Sequence, residues 1–287
     1  MKTIKQKIKK LMRTALPLSL RKYLCVMISR QKWIEGSAQY WWTRELLRDF
    51  AERDSSGYHR YLWSNHLGYA ESYDIDKRFG EENIKESRKI FFTDLGKHFF
   101  EKGINPQKDI KSVLEVGCSL GYQLRYLETV LFTGASELDG IDIDGQAIES
   151  GSRYLKHCNS RIRLRCSDMG NIDKILEDKV YDIILCTGVL MYLEEREAAR
   201  VVKDMLKHSR HVLILSGPAC RDLDNRHLEY SVIRKRDGSF IHNLDSMVEK
   251  AGGKVSYRRW EGNRVIDGHT IYLVFAVNSS GTKTISK

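Results

Sequence analysis

The chain has 287 residues, of which 41% are hydrophobic and 30% charged, and a formal net charge of +10. That length supports one full α/β core with room for an extension, and a mean hydropathy of −0.45 argues for a soluble protein. The ten basic residues of positions 1–34, a stretch with no acid, account for the whole excess of 48 Lys and Arg over 38 Asp and Glu, so the rest of the chain is neutral. A nucleic-acid enzyme would more often carry its positive charge around the active cleft, so nucleic acid is not the expected partner.

Residues 2–13 place Ile4, Ile8 and Leu11 at helical spacing among lysines, and Leu18, Leu20, Leu24, Val26 and Ile28 form a second apolar set after Pro17. The uncharged windows are far shorter than the ~20 residues of a spanning helix, and no secretory h-region is present. A basic amphipathic segment over 1–34 reads as an anchor on an anionic membrane surface, at the inner face of the membrane of a cytoplasmic protein. A solvated basic tail and a nucleic-acid contact are the alternatives.

Residues 35–108 read as an aromatic-rich helical cap. Across residues 33–73, Trp33, Tyr40, Trp41, Trp42, Tyr58, Tyr61, Trp63, Tyr69 and Tyr73 are interleaved with polar groups, a composition suited to a surface that is apolar in the middle and wet at the edge. Two readings stand: the core of a small helical unit, or a lid over a substrate with His66 and Tyr69 in reach. Arg78 to Phe100 reads as one helix, with Ile84, Ile90, Phe91, Leu95 and Phe99 periodic. Gly103 and Pro106 end it and set a domain boundary.

From residue 109 to 278 strands and helices alternate, with a flexible tail at 279–287. Strands are expected near 112–116, 137–142, 162–166, 180–186 and 211–216, and helices near 121–132, 145–156, 171–177 and 194–208. This is the pattern of a mostly parallel sheet covered on both faces, whose ligands lie beyond the carboxyl ends of the strands. A helix over 239–252 and strands at 254–260 and 270–277 follow. Their connecting loop is polar and contains glycine, as a hairpin requires. The fold class is therefore α/β: a Rossmann-like, doubly wound, seven-stranded sheet with an antiparallel C-terminal strand, plus an N-terminal helical extension.

Chemistry concentrates at the strand ends. The first strand runs through Glu115 into Gly117, Ser119 and Gly121 and then a helix, an arrangement that closes backbone N–H groups over a polar ligand. Read as Gly-x-Ser-x-Gly, the same residues fit the nucleophile elbow of an α/β-hydrolase. The second strand ends in Asp142, about 20 residues past the glycine loop, where a carboxylate suits a ribose diol; Asp144 reads as the N-cap of the next helix. The third ends in Ser167 and Asp168, placed for an exocyclic amine or for another helix cap. The fourth continues through Thr187 and Gly188 to Tyr192. Cys25, Cys118, Cys158, Cys166, Cys186 and Cys220 contain no C-x-x-C pair, so free thiols and no metal are expected.

Four such motifs in this order and spacing resemble the class I S-adenosylmethionine (SAM)-dependent methyltransferases, over about residues 109–277. The resemblance implies SAM as cofactor, with Glu115 and Gly117–Gly121 on its methionine part. It implies Asp142 on the ribose, Asp168 with Met169 and Ser167 at the adenine, and Thr187–Leu190, including Gly188, lining the cofactor next to the methyl acceptor. Ser119 stands where glycine is commoner and narrows the space beside the cofactor. The glycine loop lacks the G-x-G-x-x-G spacing of a dehydrogenase, and no Asn/Asp-Pro-Pro-aromatic signature follows the fourth strand, against amino-group methylation of nucleic-acid bases. An oxygen nucleophile needs a base, for which Tyr192, His227 and His242 are the candidates. The aromatic cap and basic segment together suggest a small-molecule or glycan-type acceptor in cell-envelope polysaccharide assembly. A Ser119 hydrolase, with His242 or His269 as its histidine, and a catalytically silent scaffold of the same fold are the alternatives.

Overall fold

The computed structural model describes residues 15–31, 36–68, 73–80, 84, 86–220, 223–234, 237–260 and 271–279, without the side chains of 36–40 and 86–87. The amphipathic segment at 2–13, Tyr69, the hairpin loop with His269 and the tail from 280 onward lie outside these residues.

Seven strands form one sheet: β1 (Ser112–Val116), β2 (Glu137–Asp142), β3 (Ile162–Cys166), β4 (Tyr181–Thr187), β5 (Ser209–Pro218), β8 (Gly253–Trp260) and β9 (Ile271–Asn278). Their order is β3-β2-β1-β4-β5-β9-β8. The first five are parallel, and β9 runs antiparallel to both β5 and β8. The order reverses between β1 and β4, which is where an open parallel sheet leaves a crevice at its carboxyl ends. Alternation along the strands sends Leu114, Val116, Ile184, Leu213 and Leu215 into one buried cluster and Val113, Ile183, Leu185, Val212 and Ile214 into the other. Both faces of the sheet are thus covered, which is why its central strands read as apolar runs.

The covering helices form for local reasons. Helix Glu195–Lys207 buries Ala198, Val201, Val202, Met205 and Leu206, with Glu195 and Glu197 in its first turn and Lys207 in its last; this spacing is a 3.6-residue stripe with charges that suit the helix dipole. Helix Gly145–His157 is capped by Asp144, whose side chain accepts from the N–H groups of Gln146 and Ala147. The expected helix over 121–132 starts as α-helix at Tyr122–Tyr126 and finishes as a π-helical turn, Leu127–Leu131.

Two sequence expectations need correction. The segment from Arg78 to Phe100 is two helices, Ile75–Phe79 and Glu86–Glu101. Asp74 caps the first by accepting from Lys77 N–H, and Gly80 leaves it with an extended backbone. The periodic Ile84 is buried outside both helices. In the second case, residues 239–252 contain the short strand β7 (Phe240–Ile241), paired with β6 (Val232–Ile233), before the helix Leu244–Lys250. The helix begins where the Asn243 side chain accepts from Ser246 N–H.

Before β1, helices α1 (Leu18–Ser29), α2 (Gly36–Leu46), α3 (Arg48–Arg53) and α4 (Ser55–Ser64) form the cap. Its core contains Cys25, Leu46, Leu47, Phe50, Tyr58, Leu62 and Leu67. The cap is tied to the sheet domain: Ser55 Oγ donates to the Gly238 carbonyl at 2.5 Å, and Arg60 on α4 pairs with Asp168 and with Glu197.

Candidate active site

A cleft whose empty space, open mouth included, is about 1040 Å³ lies over the carboxyl ends of β1, β2, β3 and β4. Its floor is the loop after β1. Gly117 has φ +78°, and both Gly117 and Cys118 donate backbone N–H groups to the Ile141 carbonyl, at 2.8 and 3.1 Å. A Cβ at Gly117 would lie 2.3 Å from Val189 Cγ2, so only glycine lets the β1 and β4 loops meet here. Ser119 also adopts a positive φ, +50°, and its N–H donates to Asp142 Oδ2 at 2.7 Å. Gly121, at φ +80°, is the N-cap residue of the helix starting at Tyr122.

Asp142 Oδ1 accepts Asp144 N–H at 2.9 Å. Burial raises this carboxyl above its ordinary range, and the backbone donors oppose the rise. Asp142 is therefore a prepared acceptor at the tip of β2. Beneath the loop, Glu115 is 1% exposed. Gln123 Nε2 donates to its Oε1 at 2.7 Å and also reaches Thr187 Oγ1 at 3.2 Å. The other oxygen, Oε2, is buried without a hydrogen-bond partner, and burial pushes the carboxyl up to about 8. An orphaned buried carboxylate oxygen behind a cleft is the kind of group that a ligand cation satisfies.

At the tip of β3, Ser167 N–H donates to the Asp142 carbonyl at 2.8 Å. Asp168 accepts Gly170 N–H at 2.8 Å and the Arg60 guanidinium, while Arg60 Nη2 reaches Glu197 Oε1 at 2.7 Å. Asp168 is thus both a cap of the turn Met169–Asn171 and a wall of the cleft. On the opposite side two arginines gather on Tyr122: Arg88 Nη1 donates to its hydroxyl at 3.2 Å, and the Arg78 guanidinium lies 5.2 Å from its ring centre. The remaining wall is aromatic. Trp63 and Tyr192 lie with ring centres 5.3 Å apart, and Tyr73 stacks at 3.6 Å on His66, whose Nδ1–H donates to Asp144 Oδ2 at 2.8 Å.

Of the residues expected from sequence, Gly117, Ser119, Asp142, Ser167, Asp168, Met169, Thr187, Gly188 and Tyr192 all line the cleft. Glu115 lies one side chain behind, through Gln123, and Gly121 packs against Leu155 and Leu164. The structure does not bring His242 or His227 to the cleft. His242 is 3% exposed, with Nε2 3.0 Å from the Leu190 carbonyl and Nδ1 2.7 Å from Ser231 Oγ. It precedes the helix Leu244–Lys250, and the short β7 strand tucks it beneath the turn that carries Tyr192. His227 is exposed on a 3₁₀ turn, Asn225–His227. Among the described residues no hydrogen bond joins a histidine to Ser119, and an α/β-hydrolase site has no support here.

The sequence reading missed Arg60, Arg78, Arg88, Tyr122 and Gln123 as cleft residues and left Trp63 open between a helical core and a lid. Tyr122 and Gln123 carried a usable signal, since they form the first helical turn after the glycine loop. The arginines and Trp63 come from helices well before β1, and no spacing rule connects those to a strand tip.

A family model described as a methyltransferase domain matches residues 113–211. The chain shares its fold with a SAM-dependent methyltransferase from Leishmania major (13% identity, 79% of this chain and 84% of that one, TM-score 0.57). It also resembles magnesium protoporphyrin IX methyltransferase from Synechocystis PCC 6803, solved with bound SAM (15% identity, 87% and 100%, TM-score 0.50), and the PH0226 protein from Pyrococcus horikoshii OT3 (17%, 74% and 100%, TM-score 0.51). No curated protein sequence matches the chain. Residues 113–211 thus match a methyltransferase domain, on a sheet whose strand order is that of the Rossmann-like methyltransferase fold. The domain match makes the chain a methyltransferase.

Proposed function

We propose that this enzyme methylates a small-molecule or glycan-type acceptor that enters along the Trp63–Tyr192 wall, and that the acceptor belongs to cell-envelope polysaccharide assembly. The observation that carries the reading is the meeting of nine expected residues from four strand tips around one cleft, with an aromatic wall contributed by the cap.

The residues fit the cofactor. The glycine cradle at Gly117 leaves room that a Cβ would fill, and the unpartnered Glu115 Oε2 suits an ammonium group. Arg78 and Arg88 supply positive charge for a carboxylate, and an Arg–carboxylate pair fixes orientation as well as charge. Asp142 would take the ribose hydroxyls; Ser167, Asp168 and Met169 would border the adenine. When bound, SAM supplies an electrophilic methyl group on a sulfonium. The protein's part is then to align the acceptor and exclude water. Val189, Tyr192 and Leu193 line the cleft beside Gly188, and large amphipathic rings such as Trp63 and Tyr192 suit a flat or sugar-like acceptor. The Tyr192 hydroxyl is the group we assign to hold the acceptor heteroatom, since His227 and His242 do not reach the cleft. All six cysteines are unpaired, which supports a cytoplasmic location.

The test is transfer of radiolabelled methyl from SAM into fractionated cell extract. Label in the envelope-glycan or small polar fraction supports the reading. Label confined to protein or nucleic acid overturns it.

A further inference from the structure

Helix α1 holds an apolar stripe outward. Leu20 is 42% exposed, Tyr23 61% and Met27 38%; at i, i+3 and i+7 they lie on one side of the helix. The helix cannot roll to hide them, because its basic residues are turned inward and fixed. Arg21 is 3% exposed, donates to the Leu46 carbonyl at 2.7 Å and pairs with Asp49 at 2.5 Å. Lys22 Nζ lies 4.0 Å from the centre of the Phe50 ring and 4.8 Å from that of Tyr61. Cys25 is fully buried on the same side. This inverts the usual surface helix, whose charged face meets water. The other cations of the region flank the helix in sequence: Lys2, Lys5, Lys7, Lys9, Lys10 and Arg13 before it and Arg30 and Lys32 after it, with no acid before Glu35. No helix among the described residues is long and apolar enough to cross a membrane.

We infer that the Leu20–Tyr23–Met27 face docks on an anionic lipid surface, with the preceding basic residues held at the headgroups. Charge complementarity selects this occupant. An apolar stripe alone fits any hydrophobic partner, but an acid-free, cation-rich sequence adjoining it along the chain fits a negative bilayer, where apolar burial and headgroup attraction add. The cations draw the protein to the surface, and the three side chains enter the acyl boundary. Docking is independent of the acceptor's identity, because none of the three residues lines the cleft.

The experiment is sedimentation of the full chain with vesicles of phosphatidylcholine and phosphatidylglycerol at 3:1, and with phosphatidylcholine alone. Wild type should pellet with the anionic vesicles and lose most of that binding with the neutral ones. The triple variant Leu20→Ser, Tyr23→Ser, Met27→Ser should lose partitioning by about two orders of magnitude. It should keep its circular dichroism melt and its affinity for S-adenosylhomocysteine, because the substituted side chains are exposed. Equal sedimentation of variant and wild type overturns the inference, as does failure of the wild type to bind. Two further outcomes also overturn it: a wild-type dimer by analytical ultracentrifugation that the triple variant makes monomeric, which would make the stripe a subunit contact, or duplex-DNA or RNA binding that outcompetes vesicles.

Discussion

Gly117→Ala tests the geometry on which the cleft depends. The new methyl would sit 2.3, 2.8 and 3.0 Å from Val189 Cγ2, Cγ1 and Cβ, at a backbone φ of +78°. The left-handed conformation costs alanine about 1–2 kcal/mol, and forcing Val189 aside adds about 1–3 kcal/mol. The expected loss is therefore about 2–5 kcal/mol, a large share of the ~5–15 kcal/mol that holds a typical domain. The two parts separate in a double-mutant cycle. Val189→Ala in the Gly117→Ala background removes the opposing methyls, so the coupling should recover the steric part, about 1–3 kcal/mol, and leave the backbone part. Urea unfolding followed by circular dichroism supplies the stabilities. Titration with S-adenosylhomocysteine should show at least about tenfold weaker binding in the single variant, because a shift of Val189 narrows the cleft. A single variant within about 0.5 kcal/mol of wild type, or no coupling, would refute the contact between the two loops.

Glu115 carries a pH prediction. Its carboxyl is raised from 4.5 to about 8 in the free protein, so between those values the folded state holds a proton that the unfolded state has released. The stability contributed by the neutral form is fully present below 4.5 and is lost as pH rises through 8; Glu115→Gln should flatten that slope in thermal melts. Opposite a bound ammonium the carboxyl should ionise. Calorimetric titration of SAM at neutral pH, in buffers of different ionisation enthalpy, should then report release of about one proton, absent in Glu115→Gln. Arg88→Ala should weaken SAM binding by about ten- to a hundredfold, the worth of a charge-assisted hydrogen bond, while circular dichroism is unchanged. Tyr192→Phe should lower kcat by about ten- to a hundredfold for loss of acceptor alignment and leave the dissociation constant for S-adenosylhomocysteine within a factor of two or three; an unchanged kcat would remove the hydroxyl from the mechanism.

What could be read in the sequence follows from how an open parallel sheet is built. Each parallel strand delivers its last residues to one edge, so a motif such as Glu115–Gly121 or an acid such as Asp142 announces both its strand and its position relative to the ligand. Asp144 was legible as a cap for the same local reason, and its side chain does accept from Gln146 and Ala147. Periodicity failed where an apolar residue served another element. Phe240 matches the helical stripe with Leu244 and Met247, yet it is buried in a two-residue strand, and the Asn243 cap was the stronger signal. Ile84 joins two helices into one pattern, although Gly80 separates them.

The second wall of the cleft obeys no such rule, and this has a functional consequence. Arg60, Trp63, Tyr73, Arg78 and Arg88 reach the site from segments that precede β1, through contacts far apart in sequence. The strand tips supply one wall of the cleft and the segments before β1 supply the other. Arg60 shows the coupling directly, since one guanidinium joins a cap helix to Asp168 at the β3 tip and to Glu197 in the first turn of the helix Glu195–Lys207. Movement of the cap would therefore alter both the acceptor wall and the environment of Asp168. On the proposed function, acceptor choice would reside in the residues whose spacing is least conspicuous.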